Sequence, residues 1–166
     1  MKMENIQALI TLINDFLGIP VIFNNQDHKR PKKPYITVQV INYDAIYPLS
    51  IKKEIIEDKK TKLTKINRAE VMLQFNCLGN DIIESHEIAV KLIDFFDFIE
   101  RETLWSIGIG VIEIGNILDR TLNLENFKYE YISNVDIVID YDKTAEKILE
   151  NLQSIDLYGE KIKRRK

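Results

Sequence analysis

The sequence predicts an α+β fold: an antiparallel sheet of about four strands with helices packed on one face, plus a long protruding arm between the first two strands. Three observations carry this expectation. Residues 67–78 (NRAEVMLQFNCL) alternate, with Ala69, Val71, Leu73, Phe75 and Cys77 on one side and Arg68, Glu70, Gln74 and Asn76 on the other. Such alternation marks a strand with one face on a core. From Asp81 to Arg101 the period changes to 3.6: Ile82, Ala89, Leu92, Ile93, Phe96 and Ile99 form a stripe, flanked by Ile88 and Phe95. The chain has 166 residues, 45% hydrophobic and 30% charged, enough for one globular domain with a proper core.

In chain order, Glu4 to Leu17 reads as an amphipathic helix, with Ile6, Leu9, Ile10, Ile13, Phe16 and Leu17 at helical spacing. Gly18 suits the position after its last turn, and Pro20 prevents continuation. Val21 to Phe23 is a short extended piece. Asn24 to Pro34 (NNQDHKRPKKP) is a solvated loop with polyproline character. Tyr35 to Tyr43 is a strand rich in β-branched and aromatic residues. Asp44 to Lys65 is the arm, a lysine-rich excursion without a clean period. After the strand at 67–78, Asn80 is the expected N-cap, with Asp81 and Glu84 placing negative charge in the first helical turn. Phe98 stands amid the charged residues of that helix. Glu102 to Ile107 leads out through Trp105, and Ile107 to Ile114 is a strand. Ile117 to Asn126 is irregular, Lys128 to Tyr141 is a long strand and Thr144 to Leu152 a short helix. The expected organisation is a single domain over 1–155 and a flexible basic tail over 156–166, ending KIKRRK. On the uncovered sheet face, Tyr35, Thr37, Gln39, Glu70, Gln74 and Asn76 would meet solvent or another subunit.

Composition narrows the function classes. A net charge of −3 gives no global signal for nucleic acid. A single cysteine excludes an intramolecular disulfide and fits a reducing compartment. No stretch is apolar enough to span a membrane, and Glu4, Asn5 and Gln7 interrupt any signal-peptide core. His28 and His86 lack metal-ligand companions, so neither a metal nor a cofactor is expected. Cys77 faces inward and reads as a core thiol rather than a nucleophile. Gly108, Gly110 and Gly115 lie within and after a strand with no helix following, which fails the context test for a nucleotide loop. No catalytic residue stands out.

Four stretches together resemble the phage tail terminators, also called neck terminators. They are the N-terminal helix with the Pro-containing loop and strand 33–38 (KPYITV), the arginine-led strand Arg68 to Gly79, the stretch from Gly110 to Asp119, and the closing strand Tyr129 to Tyr141. The resemblance spans roughly residues 5 to 141. One departure is that the closing strand has no arginine between Tyr131 and Asn134.

The resemblance implies a structural protein that caps the head-proximal end of a tail tube as a ring, expected to be hexameric. Such a ring would stop tube polymerisation and join the tail to the neck or collar. Implied partners are further copies of the chain, the tail-tube protein, sheath, and neck or head-completion proteins, with no membrane and no specific nucleic acid. Assembly is expected in the host cytoplasm, and the finished place is the virion or a tail-like particle. Candidate subunit contacts are Lys52, Lys53, Ile55, Ile56, Lys59 and Lys60 of the arm, with Phe98 and Arg68. Competing readings are a connector bound to the portal, a small metal-dependent nuclease using Asp136 and Asp140, and a DNA-binding module using Lys29–Lys33 and the arm.

Overall fold

The computed structural model describes residues 3–25, 29–55, 60–124 and 128–149. In chain order they form α1 (Met3–Leu17), β1 (Val21–Phe23), β2 (Tyr35–Ile55), β3 (Thr61–Gly79) and α2 (Ile82–Asp94). A π-helical segment (Phe95–Ile99) follows, then α3 (Arg101–Ser106), β4 (Ile109–Ile114), β5 (Leu118–Asp119), β6 (Leu122–Leu124) and β7 (Lys128–Leu149). The basic tail at 156–166 lies outside the described residues.

The class is α+β, as the sequence predicts, but the sheet is larger than four strands and mixed. Seven strands are present among the described residues, in the order β1-β2-β3-β7-β4, with β5 and β6 also pairing on β7. β1 runs parallel to β2, pairing Val21 with Ile36 and Phe23 with Val38. β4, β5 and β6 are antiparallel to β7. The uncounted strands are two or three residues long. That is too short for a period-two signal, so only a neighbouring ladder identifies them.

The chain divides into two compact units. The first comprises Met1–Tyr47 and Arg68–Lys143. Its core gathers Ile6, Leu9, Ile10 and Ile13 of α1, Ile88, Ala89 and Leu92 of α2, and the odd-numbered inward residues of β3 and β7. The helices therefore cover one face of the sheet. Gly18 (φ 66°) ends α1, its N–H donating to the Asn14 carbonyl at 2.8 Å. Only a residue without a Cβ takes that left-handed turn at little cost.

Around α2 the structure departs from expectation in three places. The N-cap is Asp81, not Asn80: its Oδ1 accepts the Glu84 N–H at 2.8 Å. Glu84 reaches back to accept the Asn80 N–H at 2.6 Å, a capping box displaced by one residue. Gly79 allows the approach, since a Cβ there would stand 2.5 Å from the Ser85 amide nitrogen.

Second, the helix is not continuous to Arg101. At Phe95 the Glu100 N–H donates five residues back, at 3.1 Å. This wider turn admits consecutive aromatics, so Phe95 and Phe96 are both fully buried. Their rings meet edge to face at 5.0 Å, and Phe96 also meets Phe75 at 5.7 Å. Ile82 and Ile99, at the ends of the predicted stripe, are half exposed. Third, residues 101–106 are helical rather than a lead-out.

The second unit comprises Pro48–Asn67 and Thr144–Lys166. The predicted arm continues as strand: β2 runs to Ile55, and β3 resumes at Thr61. The predicted helix at 144–152 is strand as far as Leu149, and 150–152 lie outside the described residues. Glu146 pairs with Lys62 of β3 at 2.8 Å. Strand pairing has overridden the helical propensity of Ala145, Glu146, Lys147 and Leu149.

Candidate functional site

In the first unit, the polar face of the sheet holds its own strands together. Arg68 of β3 binds Asp140 of β7 through both Nε and Nη2. Gln74 donates to Asp136 at 3.1 Å, and Asn134 donates to Asn76 at 3.0 Å and to the Phe75 carbonyl at 3.2 Å. Asn76 donates in turn to Thr37 of β2 at 3.4 Å. Partner numbers rise along one strand as they fall along the other, as between antiparallel neighbours.

Asp140 is buried while half of the Arg68 side chain is exposed, so the guanidinium neutralises a carboxylate that the core could not hold alone. Gly110 of β4 leaves room for this pair: a Cβ there would collide with the Asp140 carboxyl. The face is thus tighter than the sequence predicts. Tyr35 and Thr37 are buried, and Gln39, Glu70, Gln74 and Asn76 are half-buried.

The two carboxylates of the nuclease reading lie on this face. Asp136 and Asp140 are each engaged by a donor from β3. Among the described residues no three His, Cys, Asp or Glu side chains gather where they could hold a metal ion. Cys77 is fully buried, and burial pushes its thiol up to about 12.

Beside the ladder lies a polar cleft of about 300 Å³, lined among others by Arg30, Tyr35, Arg120, Glu130 and Asn134. Arg30 and Glu130 approach to 3.6 Å across it. Burial raises the Tyr35 phenol, Arg30 pulls it back and Glu130 adds to the rise. Asp119, the end of the predicted Gly110–Asp119 motif, accepts from the Thr121 N–H at 2.9 Å and hydroxyl at 2.6 Å. Those bonds lower its carboxyl and make the turn from β5 into β6.

The exposed apolar residues form a different kind of surface. Phe98 is 83% exposed, with Ile99 and Trp105 about half exposed on the same stretch of chain. The Arg101 guanidinium lies over the Trp105 ring, 5.4 Å from its centroid. A bulge between Val111 and Glu113 turns Ile112 outward beside Asp97 and Arg101, with which it lines a shallow cleft. The sequence singles out Phe98 only. Trp105 and Ile112 escape it because a helix and a bulge, invisible in the period, expose them.

In the second unit, every side chain from Ser50 to Ile55 is exposed, including Lys52, Lys53 and Ile55. Ile51 is 69% and Ile55 77% exposed. Lys60 is half-buried just before β3. Ile56 and Lys59 lie outside the described residues. Arg68, the remaining candidate contact, is held to Asp140 within its own unit.

The molecule therefore presents a sheet face on which Arg68, Gln74, Asn76, Asn134, Asp136 and Asp140 bond across its own ladder, and apolar side chains left bare on a β-ribbon and a helical turn. Such an inventory suits assembly better than catalysis. Among the described residues no helix is long and apolar enough to cross a membrane. No curated protein matches the chain. A family model described as phage neck terminator protein matches residues 7–164, nearly the whole length. The chain thus belongs to the phage neck terminator protein family, whose members are structural proteins of the phage tail and neck.

Proposed function

We propose that the protein closes into a ring on the head-proximal end of the tail tube, ends polymerisation there, and offers its other ring face to the neck or collar. Its partners in this reading are copies of itself, expected to number six, together with the tail-tube protein, sheath and head-completion proteins. It assembles in the host cytoplasm and stays in the finished virion or tail-like particle. The observation that carries the reading, beside family membership, is the ribbon at 50–55. The end of a strand exposed at every position from Ser50 to Ile55, with two bare isoleucines, has not finished burying its apolar surface.

A closed ring needs two different patches per subunit, because each copy meets its neighbours head to tail. Lys52, Lys53, Ile55 and Lys60, with Ile56 and Lys59 next to them in sequence, supply one candidate patch and Phe98 another. The exposed half of the Arg68 side chain, in the first unit, is a further candidate contact. Capping would then be steric: one ring face reproduces the docking surface of a tube subunit and the other lacks it.

Light scattering on the purified protein, alone and then with tail-tube protein, tests this. A ring-sized mass in either condition is expected. A monomer indifferent to tube protein, but binding the portal, would overturn the reading in favour of a connector.

A further inference from the structure

Two exposed surfaces match each other in pattern and charge. On the first, Asp94, Phe98, Glu102 and Trp105 succeed each other at intervals of four, four and three residues, and all are exposed. In sequence an acidic side chain follows Phe98 and precedes Trp105, and all three are exposed although the π-helical turn at Phe95–Ile99 and the break at Glu100 interrupt the α-helical phase. Asp97 and Glu100 add further negative charge, and the one cation of the stretch, Arg101, lies over the Trp105 ring.

On the second, Ile51, Lys53 and Ile55 alternate along β2 and therefore share one side of the strand. All three are exposed. Residues 48–67 carry six lysines against Glu54, Glu57 and Asp58, a surplus of three positive charges in a chain of net −3, so the remainder carries −6.

We propose that the strand 51–55 of one copy docks on the Phe98–Trp105 surface of a second copy. The inference rests on the ring reading and deepens it by naming the two patches. Apolar, basic, apolar meets apolar, acidic, apolar: one isoleucine covers the Phe98 ring, the other the part of Trp105 that Arg101 leaves exposed, and Lys53 faces Glu102. The two patches differ, so the contact is head to tail, as the ring reading requires. Desolvating Ile51, Ile55 and Phe98 supplies the attraction, while the lysine and carboxylate set register and exclude misdocking.

The test places a photo-cross-linking benzoylphenylalanine at position 98 and assembles the full chain, alone or on tail tubes, from mixed light and heavy isotope copies. Adducts joining position 98 to the 48–67 peptide of a different copy are expected. Charge reversal gives an independent reading: Lys53→Glu and Glu102→Lys should each weaken assembly roughly tenfold, a loss of about 1.4 kcal/mol. The double reversal should recover most of that. Because both side chains are exposed, each variant should melt like the parent, which separates lost docking from lost folding.

Rings that cross-link position 98 elsewhere, or a double variant no better than the singles, would overturn this docking and leave the ring standing. Absence of any ring, on tubes or alone, would overturn both.

Discussion

Cys77 sits on the inward side of β3 with no exposed surface, and its thiol is pushed from an ordinary 9.0 up to about 12. The native state therefore keeps the proton longer than the unfolded chain does. Stability is unaffected below pH 9 and falls as pH rises from 9 towards 12, at a limiting slope of about 1.4 kcal/mol per pH unit. Denaturant melts at pH 8 and pH 10 should show that loss, and Cys77→Ala should flatten it. Equal slopes in the two proteins would refute the assignment. The same thiol should resist alkylation until the protein unfolds. Phe96 and Phe98 make the parallel contrast two residues apart: one is fully buried against Phe75 and Phe95, the other is 83% exposed. Alternation along residues 67–78 reveals the inward place of Cys77. The opposed fates of the two phenylalanines are legible too, Phe96 in the apolar stripe and Phe98 amid the charged residues, whereas Phe95, read as a flank, is fully buried at the π-helical turn.

Elements of like secondary structure differ in what stands behind them. Residues 71–77 of β3 and 135–141 of β7 have buried side chains at alternate positions, backed by helices. In the second unit, residues 51–55 of β2 and 144–148 of β7 are exposed at every position, and no helix is present among its described residues. Amide exchange in the unassembled protein should therefore be at least about a hundredfold faster at 51–55 and 144–148 than at 71–77 and 135–141. Assembly should slow exchange at 51–55 selectively. Uniform protection across both sets would mean that the ribbon is stable unaided and needs no partner. The strand at 144–149 also shows where pattern reading fails. Ala145, Ile148 and Leu149 carry a helical spacing, yet β3 offers an open hydrogen-bonding edge and Lys62 a partner for Glu146. A ladder supplied by a distant segment outweighs a local preference of a few tenths of a kcal/mol per residue.

At the scale of the whole molecule, the proposed docking draws on an uneven distribution of charge along the chain. A lysine-rich segment with three surplus positive charges belongs to a chain that is otherwise six negative. In the proposed head-to-tail docking the lysine-rich segment of one copy meets the acidic Phe98–Trp105 stretch of the next. Raising the salt from about 0.05 M to about 0.5 M shrinks the screening length severalfold. It should weaken ring formation by about tenfold while leaving the monomer's melting temperature nearly unchanged. Assembly that strengthens steadily with salt would mark a purely apolar interface and count against any role for the lysines. The family's structural place at the phage neck is consistent with such a part.

The sequence by itself determined the α+β class, the first helix and its glycine stop, the central strand and the inward side of that strand. It also carried the family. These are properties of local periodicity and of residues adjacent in the chain, so they are written where they act. The tertiary structure alone decided the short strands, the parallel β1–β2 pair, the strand at 144–149 and the pairing of Arg68 with Asp140 across 72 residues. Each depends on which distant segment lies alongside. A two-residue strand or a buried carboxylate has no signature until its neighbour is in place.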